Sequence, residues 1–360
     1  MTHAHSFEPD WVSPPGATVL DILAERRCSV REFAAATHRS THEVARLLNG
    51  VDRLTPDWAQ ALAEALGASP QFWLSREEQY RSDVERLWKS SGEPDVAWLD
   101  ELPVADMTKF GWISGSKSKA EVAMNALAFF GVTSAGAWRR QYSQAIEAAA
   151  YRASDAFESK PGAVAAWLRQ GEIRAAEVDC AEWSPARLKE AIPYVRALTR
   201  EPDPAAFLPK LADTCSACGV AIVVARAPDG CRASGATKLL SAKKALVLLS
   251  FRHLADDQFW FTVFHEVGHL LLHASEGLFL EGVEVTRPEA EAEADAFAVE
   301  SLFTAEGARH LHDLPLNKFA IARHARRLGI APGLVVGQLQ AIGRVPYRHF
   351  NYMKARYDWE

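Results

Sequence analysis

The chain is predicted to be mainly α-helical with a small mixed α+β domain, and three observations carry that reading. Apolar residues recur at helical spacing, bounded by Ser, Thr and Pro at candidate helix starts. Strand character is confined to one interval, in Gly219–Val224, Ser234–Leu240 and Ala245–Ser250. The 360 residues are 48% apolar and 24% charged, ordinary globular proportions that leave room for two or three domains. The expected divisions are residues 1–80, a helical connector over 81–204, and a C-terminal domain over 205–360.

The first domain reads as five short helices: Thr18–Arg26, Val30–Thr37, Thr41–Leu48, Pro56–Leu66 and Pro70–Tyr80. Ser29, Ser40, Thr55 and Ser69 occupy N-cap positions, and Gly50 and Gly67 follow two of the helices. The stretch Ser29 to Gly50 has the layout of a helix-turn-helix. Leu47-Leu-Asn-Gly50, Leu54-Thr55, Ala59 and Leu66-Gly-Ala-Ser-Pro-Gln-Phe-Trp-Leu74 resemble the XRE family, in particular the HigA-type antitoxins. That resemblance implies double-stranded DNA as a partner, read by Arg39, Thr41, His42 and Arg46, with Ser40 and Thr41 near phosphates. Residues 17–80 nevertheless hold seven Arg, no Lys and nine Asp or Glu. His38 and Arg39 stand where the family usually has Gly and an apolar residue. Such a surface gives weak phosphate attraction, so a homodimer on paired half-sites is expected, with partner docking as the competing use.

The connector carries further helical patterns. Arg81–Lys89 continues the fifth helix, Ala120–Phe130 ends at Gly131, and Ala137–Arg152 and Ala163–Gln170 follow. Phe129, Phe130, Trp138, Trp167 and Trp183 are its apolar anchors, which argues for packed helices rather than a tether. No functional motif lies in it.

The C-terminal domain holds the most specific signal, His265-Glu266-Val267-Gly268-His269, within an apolar helical run. Positions i and i+4 share a helix face, so the two imidazoles can meet at one metal ion, with Glu266 placed to take a proton from a bound water. Two imidazoles, a carboxylate and an open position suit Zn2+. Leu272 and Ser275 stand where an extended three-histidine pattern needs Gly and His, so the third ligand must come from elsewhere. Thr286 to Ala298 reads as a capped helix, Thr286 pairing with Glu289 and Pro288 in the first turn. On it Ala290, Ala294, Phe297, Ala298, Ser301 and Leu302 form the core face. Glu291 borders that face and is the preferred third ligand over Glu289 and Glu293. Asp295, four residues on, can hold a ligand histidine through its other ring nitrogen. His273 lies on the ligand face but about 12 Å further along the axis, and reads as a residue behind the ligands or at the surface. Cys215-Ser-Ala-Cys218, with Cys231, falls short of a four-thiol site and reads as buried thiols on a helix.

The block Trp260 to His273, then Glu291, Ala294, Asp295, Phe297 and Ala298, resembles the ImmA/IrrE family of zinc metallopeptidases. Gly219–Val224, Ser234–Thr237, Ala245–Ser250 and the tail Gly329–Gln340 fit the same family, over roughly residues 205–357. The resemblance implies a zincin-like protease acting on a specific regulatory protein, typically a repressor, in bacterial stress or mobile-element control. The rival reading is a DNA-binding transcriptional regulator, in toxin–antitoxin, stress or mobile-element control, whose metallopeptidase domain serves as a sensor rather than a protease. Tyr347, Arg348 and His349 are candidate oxyanion donors, and Ser234–Leu240 with Ala245–Ser250 offers a sheet edge for an extended substrate. No apolar run approaches the ~20 residues of a membrane span, the start of the chain lacks a signal-peptide layout, and the five cysteines are scattered. A cytoplasmic protein without membrane contact is expected.

Overall fold

A computed structural model describes residues 13–26, 28–90, 96–143, 160–274, 278–280 and 288–357. They are mainly helical, with one four-stranded mixed sheet. The chain divides into two units, residues 1–143 with 176–179, and residues 144–175 with 180–360. The stretch 81–204 is therefore shared between the two.

Capping sets the helices of the first unit. They are α1 (Pro15–Arg26), α2 (Val30–Ala36), α3 (Thr41–Leu48), α4 (Pro56–Leu66) and α5 (Pro70–Ser90). Ser29 and Ser40 each form a reciprocal capping box, with Glu32 and Glu43, while Thr55 and Ser69 accept from Trp58 and Phe72 N–H. Val19, Leu23, Phe33, Val44, Leu62 and Trp73 close their shared core. The turn between α2 and α3 passes through His38 at φ 53°, a left-handed conformation usually left to glycine. A 3-10 turn (Val96–Glu101), α6 (Val104–Lys109), α7 (Lys119–Phe130) and α8 (Ala135–Gln141) follow, and α7 ends on left-handed Gly131. Trp98 and Phe130 pack on Trp138 at 5.6 and 5.8 Å between ring centroids. Of the helix expected over Ala137–Arg152, residues 144–152 lie outside the described residues, as does Thr286, the cap expected from the sequence.

The second unit is built on α9 (Pro161–Ala175), α10 (Pro185–Leu198), α11 (Pro204–Ser216), β1 (Val220–Val224), β2 (Gly235–Ser241) and β3 (Lys244–Leu249). Then come α12 (Asp256–Leu272), β4 (Phe279–Leu280), α13 (Pro288–His310), α14 (Lys318–Leu328) and α15 (Pro332–Ala341). The sheet order is β1-β3-β2-β4, with β1 parallel to β3 and the other pairings antiparallel. Residues Ala245 to Leu249 are no more than 2% exposed, as expected of a strand covered on both faces. This corrects the edge expected at Ala245–Ser250: β3 is interior, and β4 pairs Ala236 and Thr237 of β2. Cys215, Cys218 and Cys231 are buried free thiols, and burial pushes Cys215 and Cys231 up to about 12.

Helix α12 is the axle of this unit, buried nearly all round and packed on β2, β3, α13 and α15. Asp256 and Asp257 open it and complement the positive helix end. The C-terminal segment docks there: Asp256 N–H donates to Ala355 O at 3.1 Å, and Lys354 Nζ meets Asp257 Oδ2 at 2.6 Å. Burial, aided by the neighbouring Asp257, raises Asp256 from 3.8 to about 6 against the pull of backbone donors.

The folded state consequently holds a proton on Asp256 that the unfolded chain has lost. Its contribution to stability is full below 3.8 and fades as pH rises to about 6. Asp256→Asn removes that loss, so the variant gains on the parent by on the order of 2 kcal/mol between pH 4 and pH 7. Thermal melts at the two pH values check this; an equal difference at both contradicts it.

Candidate metal centre and DNA-reading surface

Three helical turns bring the metal-binding atoms together. Nε2 of His265 and Nε2 of His269 lie 3.0 Å apart on α12. From α13, Glu291 Oε2 lies 3.2 Å from the first and Oε1 lies 3.3 Å from the second. Donors each about 2.05 Å from a tetrahedral ion stand roughly 3.3 Å apart, so the triangle has the size of a metal site. Among the described residues it is the one such His/Cys/Asp/Glu group. His265 and His269 are 2% and 0% exposed.

Backbone proximity makes the triangle reachable. A Cβ on Gly268 would lie 3.1 Å from Phe297 Cδ1 and 3.3 Å from Ala294 Cα, so glycine there lets α12 and α13 come close. Ala290, Ala294, Ala298 and Leu302 are the buried face of α13, while Phe297 and Ser301 are half-buried. Glu291 projects beside that face toward the imidazoles. Asp295 Oδ1 takes His265 Nδ1 at 2.8 Å, which leaves Nε2 of that ring facing Glu291. Glu289 is exposed, and Glu293 meets His273 instead.

Electrostatics favour the ligating forms. Burial lowers His269, keeping its imidazole neutral. Burial alone would raise Glu291, but the facing imidazoles of His265 and His269 outweigh it and hold the carboxyl at about 2. Glu266 is 0% exposed. Strand β2 runs against it so closely that a Cβ at Gly235 would overlap Glu266 Oε1 and Thr262 Cγ2. The carboxyl groups of Glu266 and Glu291 beside two imidazoles make a setting that a divalent ion would complement.

A cavity of about 370 Å³ adjoins His265 and Glu291. Phe261, Leu302, Phe303 and Leu334 give it apolar walls, and Gln258 and Gln338 add polar groups. Tyr347, Arg348 and His349 are not among its lining residues; Tyr347 is 73% exposed, and the carbonyls of Tyr347 and His349 accept from Gln340 Nε2. Two neighbours were given no role of their own from the sequence. Gly235 is one, and Phe279 of β4, whose ring stacks on His269 at 4.1 Å and 17°, is the other.

In the first unit four of the five predicted DNA-contacting residues, Arg39, Ser40, His42 and Arg46, are engaged within the protein. Arg46 grips Asp52 at 2.9 and 2.7 Å and reaches Gly111 O at 3.1 Å. Arg39 lies 3.9 Å from Glu43 and 5.0 Å over the Trp58 ring. Ser40 caps α3, whose first residue, Thr41, is half-buried. His42 Nδ1 meets Glu177 Oε1 at 2.8 Å, and Asp179 accepts from Val30 and Arg31 N–H at 3.1 and 3.3 Å. Sequence reasoning missed Glu177 and Asp179, which lie about 135 and 149 residues from their partners.

Fold and site together define a helix-turn-helix module carried on one chain with a centre of metallopeptidase type. Residues 231–330 match the family described as IrrE N-terminal-like domain, peptidase M78. In its N-terminal region the chain is 38% identical over 80 residues to the uncharacterized HTH-type transcriptional regulator YddM of Escherichia coli (strain K12). That alignment covers 20% of this chain and 85% of that protein. The chain belongs to the helix-turn-helix regulators fused to an ImmA/IrrE metallopeptidase domain. No described helix is long and apolar enough to cross a membrane.

The purified protein is expected to hold about one divalent metal ion per chain, and His265→Ala or His269→Ala to bring it near zero by elemental analysis. Glu291→Ala should weaken binding by roughly 10²-fold, well beyond the effect of Glu293→Ala. The reverse order would make Glu293 the ligand.

Proposed function

We propose that this protein is a zinc-dependent metallopeptidase that cleaves a specific regulatory protein, a transcriptional repressor, and that carries its own DNA-binding module. The observation that supports it best is the triangle of His265 Nε2, His269 Nε2 and the Glu291 carboxylate beside buried Glu266. Zinc held by these three groups would supply polarisation of the scissile carbonyl and a water acidified toward neutral pH. Asp295 keeps the His265 ring turned so that Nε2 faces inward. Glu266 takes the proton of the attacking water and delivers it to the departing amine. Its burial against β2 strengthens its charge interactions, because little water screens them. The adjoining cavity receives a substrate side chain next to the scissile bond, with Phe261, Leu302, Phe303 and Leu334 favouring an apolar one. A repressor as substrate rests on the family resemblance, and cytoplasmic action follows from such a substrate.

Glu266→Gln leaves all three ligands in place. It is expected to retain the metal while slowing cleavage of the cognate protein by about 10²-fold or more. Cleavage at the parental rate with metal bound would contradict the mechanism.

The DNA-binding role is supported by the likeness of the N-terminal region to a helix-turn-helix regulator. In this conformation Glu177 and Asp179 sit where phosphates would approach α2 and α3, so DNA must displace two carboxylates. Glu177→Gln with Asp179→Asn should tighten binding to the region upstream of the protein's own gene by roughly fivefold or more at fixed salt. Fluorescence anisotropy measures it. Equal or weaker binding would mean that the two acids do not compete with DNA.

A further inference from the structure

The two ligand histidines are supported differently. His265 Nδ1 meets a carboxylate directly, at Asp295. Among the described residues, no carboxylate meets Nδ1 of His269. Its Nδ1 lies 3.4 Å from Nδ1 of His273, and His273 Nε2 lies 2.9 Å from Glu293 Oε2. His273 is the C-cap of α12, 5% exposed, and its own N–H is tied to His269 O at 2.8 Å. The Phe279 ring covers both imidazoles, with centroids 4.1 and 5.6 Å away.

Hydrogen-bond chemistry orders this row. An ionised carboxylate only accepts, so Glu293 draws the ring proton of His273 to Nε2. Nδ1 of His273 then carries a lone pair and can face the Nδ1 of His269 only if that nitrogen bears its proton. This leaves Nε2 of His269 as a bare lone pair, and Nε2 is the atom aimed at His265 and Glu291. The opposite tautomer of His269 would put a proton where the metal must bind.

We infer that His273 is a positioning residue for the metal ligand His269, anchored by Glu293 and relaying to the ring the role that Asp295 plays directly for His265. The inference rests on the metal site of the proposed function. The row accounts for three histidines at four-residue spacing on one helix face when only two can ligate. It also accounts for Glu293, whose side chain is 63% exposed yet ends on a buried ring.

The test measures affinity of the full-length protein for Zn2+ by competition with a chromophoric chelator, and the visible spectrum of the Co2+-loaded protein. His273→Phe keeps the ring volume but offers no acceptor; about 10- to 100-fold weaker Zn2+ binding and a shifted cobalt spectrum are expected. His273→Asn can present an oxygen to His269 and should recover part of the loss. Glu293→Ala changes an exposed side chain and should weaken binding by a few-fold to tenfold, which keeps the test open if His273→Phe fails to fold. Zn2+ affinity within twofold of the parent and an unaltered cobalt spectrum in a folded His273→Phe variant, or in Glu293→Ala, would overturn the inference. His269→Ala is the control that separates the two readings: if it too retains Zn2+, the metal site itself is wrong.

Discussion

The close approach of α12 and α13 across Gly268 is the constraint on which the site depends. Helix separation is set by the side chains at the contact, and here these are glycine and alanine: Gly268 faces Ala294, with Ala290 and Ala298 one turn to either side. Only at that separation does the short side chain of Glu291 span both Nε2 atoms, at 3.2 and 3.3 Å. The same contact puts Asp295 one turn on, within 2.8 Å of His265, and Glu293 within reach of His273. On the opposite side of α12, the absence of a side chain at Gly235 lets β2 close over Glu266. Glycines at two approaches thus fix where four carboxylates and three imidazoles lie.

The arrangement is costly without an ion. Burying imidazoles and carboxylates loses hydration, and packing alone does not return it. His265 meets Asp295 and Glu291 faces both rings, each with a defined geometry. The large apolar residues of α12, Phe259, Trp260, Val263, Phe264, Val267 and Leu270, anchor the helix in the core. The polar row is carried by that framework rather than contributing to it, which fixes where the ligands stand.

How much was legible in the sequence follows the range of each interaction. Caps at Ser29, Ser40 and Thr55 act within three residues, and the helices they start were readable to within a turn. His265 and His269 stand four residues apart on one helix, so their common face was visible from spacing, with Glu266 one step round. Glu291 and Asp295 were accessible because the apolar periodicity of α13 reveals which side it buries. Sheet order was not accessible: the apolar run Ala245–Leu249 fits an edge or an interior strand equally, and the pairing with both β1 and β2 made it interior. Gly235, Phe279, Glu177 and Asp179 act on distant residues through tertiary packing, which leaves no local pattern. The partial engagement of α3 by acids is the largest feature of this kind, since the acidic count of residues 17–80 showed weak phosphate attraction but not its cause at His42 and Val30.

The central claim is that two imidazoles and one carboxylate, rather than the cysteines, hold a metal. X-ray absorption at the zinc edge of the Zn2+-loaded protein tests it most directly. The account predicts only nitrogen and oxygen neighbours at about 2.0–2.1 Å, with the outer-shell scattering of two imidazole rings. Sulfur at about 2.3 Å would contradict it and move the ion to Cys215, Cys218 or Cys231.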